Sequence, residues 1–286
     1  MRFELLFFET ADSSLGRVGH ESLSHQSLME MVIEGITDKE KICGGANEPK
    51  DIEEWEGVTI KDGEVAKIHW NECDLQGSLH LEWLPSTVRK LVVTWNQLTG
   101  TLDLASLPTS MEILKLGGNA FTGSICLKGL PERMKCLDVF NNKLSGALKL
   151  ENLPDTLTDF VAHKNHFSGS VDLTQLPSAL TSLNLATNQL SGSVVLTQLP
   201  ANVNYLYLSF NQFSGSLDLT KLPPNMLQLH AYNNSFSGTV DLSQLPQGLT
   251  YVDLSVNELS GEVFISDALF DIVQAMHTKL IKQHME

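Results

Sequence analysis

Leu180-Thr181-Ser182-Leu183-Asn184-Leu185-Ala186-Thr187-Asn188-Gln189-Leu190 is the stretch from which the fold is read. Its leucines and Asn188 recur in phase along the chain. Asparagine stands at 96, 119, 142, 165, 188, 211, 234 and 257, and glycine at 77, 100, 123, 146, 169, 192, 215, 238 and 261. Proline stands at 85, 108, 131, 154, 177, 200, 223 and 246, and every series advances by 23 residues. One step before Asn96 lies Cys73, so the unit occurs nine times, with cysteine in the first asparagine slot. A unit this short cannot bury its own apolar stripe, so the copies must stack. The sequence specifies a solenoid.

Each position has a physical task. The segment ending at the asparagine reads as a short strand, paired in parallel with those of its neighbours. Side chains alternate along a strand, so residues three and five before the asparagine, such as Leu206 and Leu208, point inward. Those six, four and two before it line the concave face. The asparagine amide is placed to bond backbone groups of adjoining turns, where the chain leaves the strand. Cys73 offers only a weak thiol donor. The Ser/Thr-Gly pair suits a bend, because glycine adopts positive φ. A second apolar pair, as in Val171-Asp172-Leu173, reads as a brief flank strand, and Leu-Pro closes the convex return.

A period of roughly 20–29 residues with the spacing L-x-x-L-x-L-x-x-N/C-x-L marks the leucine-rich repeat. The fold expected is a leucine-rich repeat solenoid, a horseshoe or right-handed superhelix. A parallel β-sheet forms its concave face, and helical caps close both ends. The run after each asparagine, Leu-Ser-Gly-Ser-Val after Asn188 and close variants of it elsewhere, resembles the plant-specific subclass found in receptor-like proteins. That subclass carries Ile-Pro soon after the glycine and is often a residue longer. Here the proline follows the glycine by eight residues. The resemblance covers about 65–265, roughly 70% of the chain. It implies binding of a ligand or protein and no chemistry of the chain's own.

The ends are read as caps at 1–64 and 266–286, around nine repeats at 65–265. Upstream, Leu23, Leu28, Val32, Ile33 and Ile36 mark an amphipathic helix over about 20–37. Asp62-Gly63 between two strand-like runs signals a hairpin. The Trp55-Glu56-Gly57-Val58 element resembles the N-terminal cap of plant receptor-like repeat proteins, which a disulfide pins. Ile60 occupies the second cysteine position here, so Trp55, Val58 and Trp70 must hold the cap by packing. Downstream, Leu269, Val273, Met276 and Leu280 fall on one face of an expected helix over about 267–283, capped by Ser266 or Asp267.

Charge narrows the partners. The 286 residues hold 34 acidic and 19 basic side chains, net −15, which argues against nucleic acid and anionic membranes. No stretch approaches the roughly 20 apolar residues that span a bilayer. Met1–Glu9 is too short and acidic for a signal peptide. Cys43, Cys73, Cys126 and Cys136 form no CxxC pair and read as reduced structural thiols, from which a cytoplasmic location is expected. The alternative is a surface or secreted chain, were it a receptor fragment.

Chemical motifs are absent: no P-loop, no HExxH, no G-x-S-x-G and no GxGxxG after a strand. No catalytic residue, metal ligand or cofactor is assigned. The acidic column Asp103, Asp172, Asp218 and Asp241 is read as a solvated edge. The concave face carries the information. All four tyrosines, Tyr205, Tyr207, Tyr232 and Tyr251, fall on it within repeats 7–9, with Phe210, His230 and Asp253 beside them. Trp95, beside Gly117 and Gly118, marks a second, flatter and less hydroxylated spot in repeats 2–3, and Phe140 and His163 are further candidates on the face. Tyrosine suits strands, yet repeats 1–6 have as many strands and none, and exposed rings are typical of binding hot spots. The asparagine ladder is Cys73, Asn96, Asn119, Asn142, Asn165, Asn188, Asn211, Asn234 and Asn257. The function expected is non-enzymatic binding of another protein or peptide by a monomeric scaffold. The alternative is the ligand-binding ectodomain of a receptor-like protein.

Overall fold

A computed structural model describes residues 22–45 and 49–285. The Met1–Glu9 reading lies outside them. Two large sheets shape a solenoid of nine turns: one runs its length, the flank sheet of eight strands begins at Thr122–Gly123, and a separate pair, Gln76–Ser78 with Gln97–Thr99, flanks the first repeats. The larger has eleven strands, opening with the antiparallel hairpin Val58–Lys61 and Glu64–His69. The concave strands follow in chain order at Lys90–Val92, Ile113–Lys115, Cys136–Asp138, Asp159–Val161, Ser182–Asn184, Tyr205–Tyr207, Gln228–His230 and Tyr251–Asp253. Each is parallel to the last and 23 residues on, as in Leu183 opposite Leu206. The regular strand stops four residues short of the asparagine, but hydrogen bonding between turns continues: Leu185 N–H donates to the Tyr207 carbonyl at 2.9 Å.

The inward positions are buried as the alternation requires. Leu183, Leu185, Leu206 and Leu208 are fully enclosed, each contributing roughly 1.5–3 kcal/mol of apolar burial. Behind them a second column, including Phe121, Phe167, Phe213 and Phe236, follows the asparagines and is equally dry. This column explains where the flank sheet lies. Its strands, His166–Gly169 and Gln189–Gly192 among them, come directly after the asparagine. The expected flank strand at Val171–Leu173 is therefore corrected: both apolar residues are buried, but the segment carries no ladder. On the convex side the proline carbonyl accepts the N–H three residues on, as Leu180 to Pro177 at 3.0 Å. Asp172 and Asp218 are Asx caps of the returns, each accepting from a threonine N–H and hydroxyl two residues later. Those bonds hold both carboxyls below their usual pKa.

The residue before the ladder position adopts the left-handed conformation in all nine repeats, from Glu72 to Val256, with φ between 48° and 69°. Asn141, Asn233 and Gly118 suit it, whereas β-branched Val256 at φ 53° is strained. Val256→Asn should therefore stabilise the chain by about 1 kcal/mol, read as a higher urea midpoint. A lower midpoint would show that its apolar contacts outweigh the strain.

The caps differ from expectation. Upstream, the helix is shorter than 20–37: it spans His25–Val32, with Ser24 accepting the Ser27 N–H at its start. Ile33 and Ile36 are buried beyond its end, and Leu23 is exposed. Trp55 and Trp70 are buried, and their indole N–H groups donate to the carbonyls of Lys50 and Glu56. Downstream, the capping helix over 267–283 is not formed. A short turn of helix at Asp267–Phe270 gives way to Val273–Gln274 in the concave sheet and Lys279–His284 in the flank sheet. The open sheet edge explains this: N–H groups of Val252, Leu254 and Val256 need acceptors and find the carbonyls of Ile272, Gln274 and Met276. Met276, expected on the buried face, is 66% exposed.

Candidate functional site

The ladder fixes the strand ends that present the site. Asn188 Oδ1 accepts the Phe167 N–H of the preceding turn at 3.0 Å. Its Nδ2 donates to Ala162 of that turn at 3.1 Å and to Leu185 and Ala186 of its own. Asn96, Asn119, Asn142, Asn165, Asn211, Asn234 and Asn257 make the same set. Cys73 cannot: its Sγ meets only the Asn71 carbonyl at 3.4 Å.

On this frame the rings form three groups. Tyr205 and Tyr207 share a strand, with parallel rings and centroids 6.4 Å apart. Tyr207 lies in register with His230 and His230 with Asp253. The Tyr207 and His230 rings are 4.8 Å apart, and those of His230 and Tyr251 are 4.9 Å apart. Tyr251 donates its hydroxyl to Asp253 at 3.3 Å. Gln228, which the sequence reading passed over, sits between the tyrosines six before Asn234. Its Oε1 accepts the Tyr207 hydroxyl at 3.0 Å and faces His230 Nε2 at 3.3 Å. Its position in the column with Tyr205 and Tyr251 was the available signal. Burial lowers the His230 pKa against the pull of Asp253 and raises that of Tyr207, so both rings are neutral near pH 7.

Phe210 and Tyr232 make an edge-on pair at 4.9 Å. Phe210 is splayed by its left-handed backbone and is 48% exposed. Ser209 and Ser255, expected beside Tyr232 on the open face, are buried, and Ser255 Oγ accepts the Met276 N–H.

The third group joins Trp95 edge-on to Phe140 at 5.2 Å and Phe140 to the stacked ring of His163 at 5.1 Å. Trp95 belongs to repeat 2 and Phe140 to repeat 4, and glycines in repeat 3 let them meet. A Cβ on Gly117 would fall 2.1 Å from the Phe140 ring, and one on Gly118 2.7 Å from Trp95. Burial, with Lys164 nearby, lowers the His163 pKa, and its Nδ1 is buried without a hydrogen-bond partner. Asn184 and Ala186 of repeat 6 separate this group from the tyrosines, so the structure does not unite the two spots.

All four cysteines are free thiols, and burial raises the pKa of Cys43, of Cys73 and, to about 11, of Cys136. Among the described residues no three His, Cys, Asp or Glu side chains gather as a metal site, and no helix is long and apolar enough to cross a membrane.

No protein-family model and no curated protein matches the sequence. Solved structures do. The Arabidopsis receptor kinase HAESA, in complex with the peptide hormone IDA and the co-receptor SERK1, is 25% identical with a TM-score of 0.51. The match covers 65% of this chain and 33% of HAESA. YopM of Yersinia enterocolitica is 28% identical over 71% of this chain and 40% of its own, with a TM-score of 0.52. A plant ice-binding protein reaches 0.58 over 90% and 94% at 15% identity, a likeness of fold alone. This chain thus spans about a third of HAESA and two fifths of YopM. The receptor-kinase neighbour overturns the cytoplasmic location expected from the cysteines and points to a surface or secreted one. Unpaired thiols are compatible with either compartment, so that inference lacked force. By its repeat pattern, strand register and structural neighbours, the chain folds as a leucine-rich repeat protein resembling the receptors of plants.

Proposed function

We propose that the chain is the ligand-binding repeat scaffold of a receptor-like protein, taking a protein or peptide on its concave face. The observation that carries this is the gathering of all four tyrosines there within repeats 7–9, three linked through His230 and Tyr232 packed against Phe210. Tyrosine offers a wide, rigid ring at low entropic cost and a hydroxyl for a partner's backbone. HAESA, of similar fold, is solved with a peptide hormone bound, which supports a peptide as the ligand class. The Trp95, Phe140 and His163 group ranks second, being less hydroxylated.

A random dodecapeptide library panned on the full chain tests the reading. Selected peptides should lose at least about 30-fold in affinity for Tyr207→Ala/Tyr232→Ala by calorimetry, the worth of one hot-spot ring. The melting temperature should hold, because neither ring belongs to the core. Gln189→Ala, on the flank, should bind as wild type does. Equal binding by the double variant would place the site elsewhere.

A further inference from the structure

The concave face is not uniform in charge. At the positions six, four and two before the ladder residue, repeats 1–3 hold Lys67, Lys90 and Lys115 and no acid, with Glu72 at the strand exit of repeat 1, although the chain as a whole is strongly acidic. The same three positions in repeats 4–9 hold Asp138, Asp159 and Asp253 and no lysine, with Lys164 at the strand exit of repeat 5. Lys67 and Lys90 stand directly opposite one another on neighbouring strands. Like charges so placed destabilise a sheet, and solenoid packing gives no reason for them. Lys115 lies one strand further, opposite Val92. Nearby bases at the lip are already matched: Glu112 takes Lys135 at 2.8 Å and Arg89 at 3.6 Å. Lys67, Lys90 and Lys115 have no carboxylate within 4.0 Å among the described residues. Lys115 is nearest to compensation, since Asp138 faces it across the register. That carboxyl is half-buried, bonded to the Phe140 N–H, and raised in pKa by desolvation.

We propose that the first three concave strands bind an acidic segment of a peptide or protein partner, with Lys67, Lys90 and Lys115 as its counter-charges. This rests on the reading of the concave face as a peptide site, and it gives the ligand a direction: carboxylates toward repeat 1, apolar or aromatic side chains toward the tyrosines. Charge complementarity selects this occupant. A phosphate or sulfate polymer carries its charge along its whole length and would meet Asp138, Asp159 and Asp253 beyond the lysines. A peptide places its carboxylates only where the lysines stand.

The test uses the full chain and three probes: an acetylated dodecapeptide with glutamates at one end and tyrosines at the other, about 40 Å long when extended, its glutamine-for-glutamate counterpart, and a heparin octasaccharide. The acidic peptide should bind at least about fivefold tighter than the glutamine peptide at low salt, with the preference fading as salt screens it. Lys67→Gln/Lys90→Gln/Lys115→Gln should bring the ratio to about one without lowering the melting temperature, since a like-charge pair is removed. Equal affinity for the two peptides, an unchanged ratio in the lysine variant, or no binding of the acidic peptide would overturn the proposal. Binding of heparin in its place would assign the patch to a sulfated polysaccharide and overturn it too. Tyr207→Ala/Tyr232→Ala separates the two readings: it should weaken both peptides and keep their ratio. If it binds both as wild type does, the tyrosine site falls while the lysine site stands.

Discussion

Asn188→Ala should lower stability by about 2 kcal/mol, while Gln189→Ala next to it should be neutral within about 0.5 kcal/mol. Asn188 supplies one acceptor and up to three donor contacts, to Phe167 and Ala162 of the preceding turn and to Leu185 and Ala186 of its own. Alanine leaves the Phe167 N–H without a partner and the Ala162 carbonyl with Asn165 Nδ2 alone, at 3.2 Å, so one buried donor is stranded at roughly 1–3 kcal/mol. The damage is shared by two turns, and in a solenoid those interfaces carry the stability. Gln189 begins the flank strand with its side chain in solvent. Urea unfolding followed by circular dichroism reads both. Equal midpoints would mean that water replaces the ladder. The first repeat is a natural contrast, because Cys73 cannot bridge the turns and Cys73→Ala should cost far less than Asn188→Ala.

The repeats were legible because period and chemistry coincide: a 23-residue step carries leucine, asparagine, glycine and proline together, and strand alternation sorts their neighbours inward and outward. The same logic put Tyr207, His230 and Asp253 in one column, as the register shows. Failure came where the period breaks. Val273 follows Val252 by 21 residues, so the final turn was out of phase. Leu269, Val273, Met276 and Leu280 then imitate helical spacing, and only the open sheet edge decides for strands. The left-handed residue before each ladder position was hidden by its diversity, since Trp95, Lys164, Thr187, Phe210 and Val256 carry no turn signal. Its consequence matters for the site, because it turns Trp95 and Phe210 outward. Gly117 was noticed as flat, yet its missing Cβ serves another residue, giving Phe140 room to reach Trp95.

Gly77→Ala should be more damaging than the same change at any later glycine of its series, costing about 4 kcal/mol against about 1 kcal/mol for Gly169→Ala. Both glycines have positive φ, 96° and 79°, so both alanines carry the left-handed penalty. They differ in what a Cβ would meet. At Gly169 nothing lies within 4 Å, whereas at Gly77 the Gly35 carbonyl oxygen would be 2.1 Å away. That oxygen belongs to the backbone and cannot swing aside. It accepts the Ser78 N–H at 2.9 Å, while the Thr37 N–H donates to Gln76 at 3.0 Å. Ile36 and Gly77 thereby form an antiparallel bridge that seats the N-terminal cap on the first repeat. Asp38 reinforces the seat, with Oδ1 accepting the Gln76 N–H at 3.1 Å and Oδ2 paired to Lys41 at 2.6 Å. A methyl group at position 77 must push the cap away and expose Ile33 and Ile36, both buried there. All four tryptophans lie at or before residue 95 and all four tyrosines at or after 205, so intrinsic fluorescence reports on the two ends separately. Under urea the tryptophan transition of Gly77→Ala should fall below its tyrosine transition, because the cap peels before the stack opens. Gly169→Ala should keep the two transitions together. If Gly77→Ala loses no more stability than Gly169→Ala, or if its tryptophan transition stays level with its tyrosine transition, the close Gly35–Gly77 approach is not what holds the cap on the first repeat.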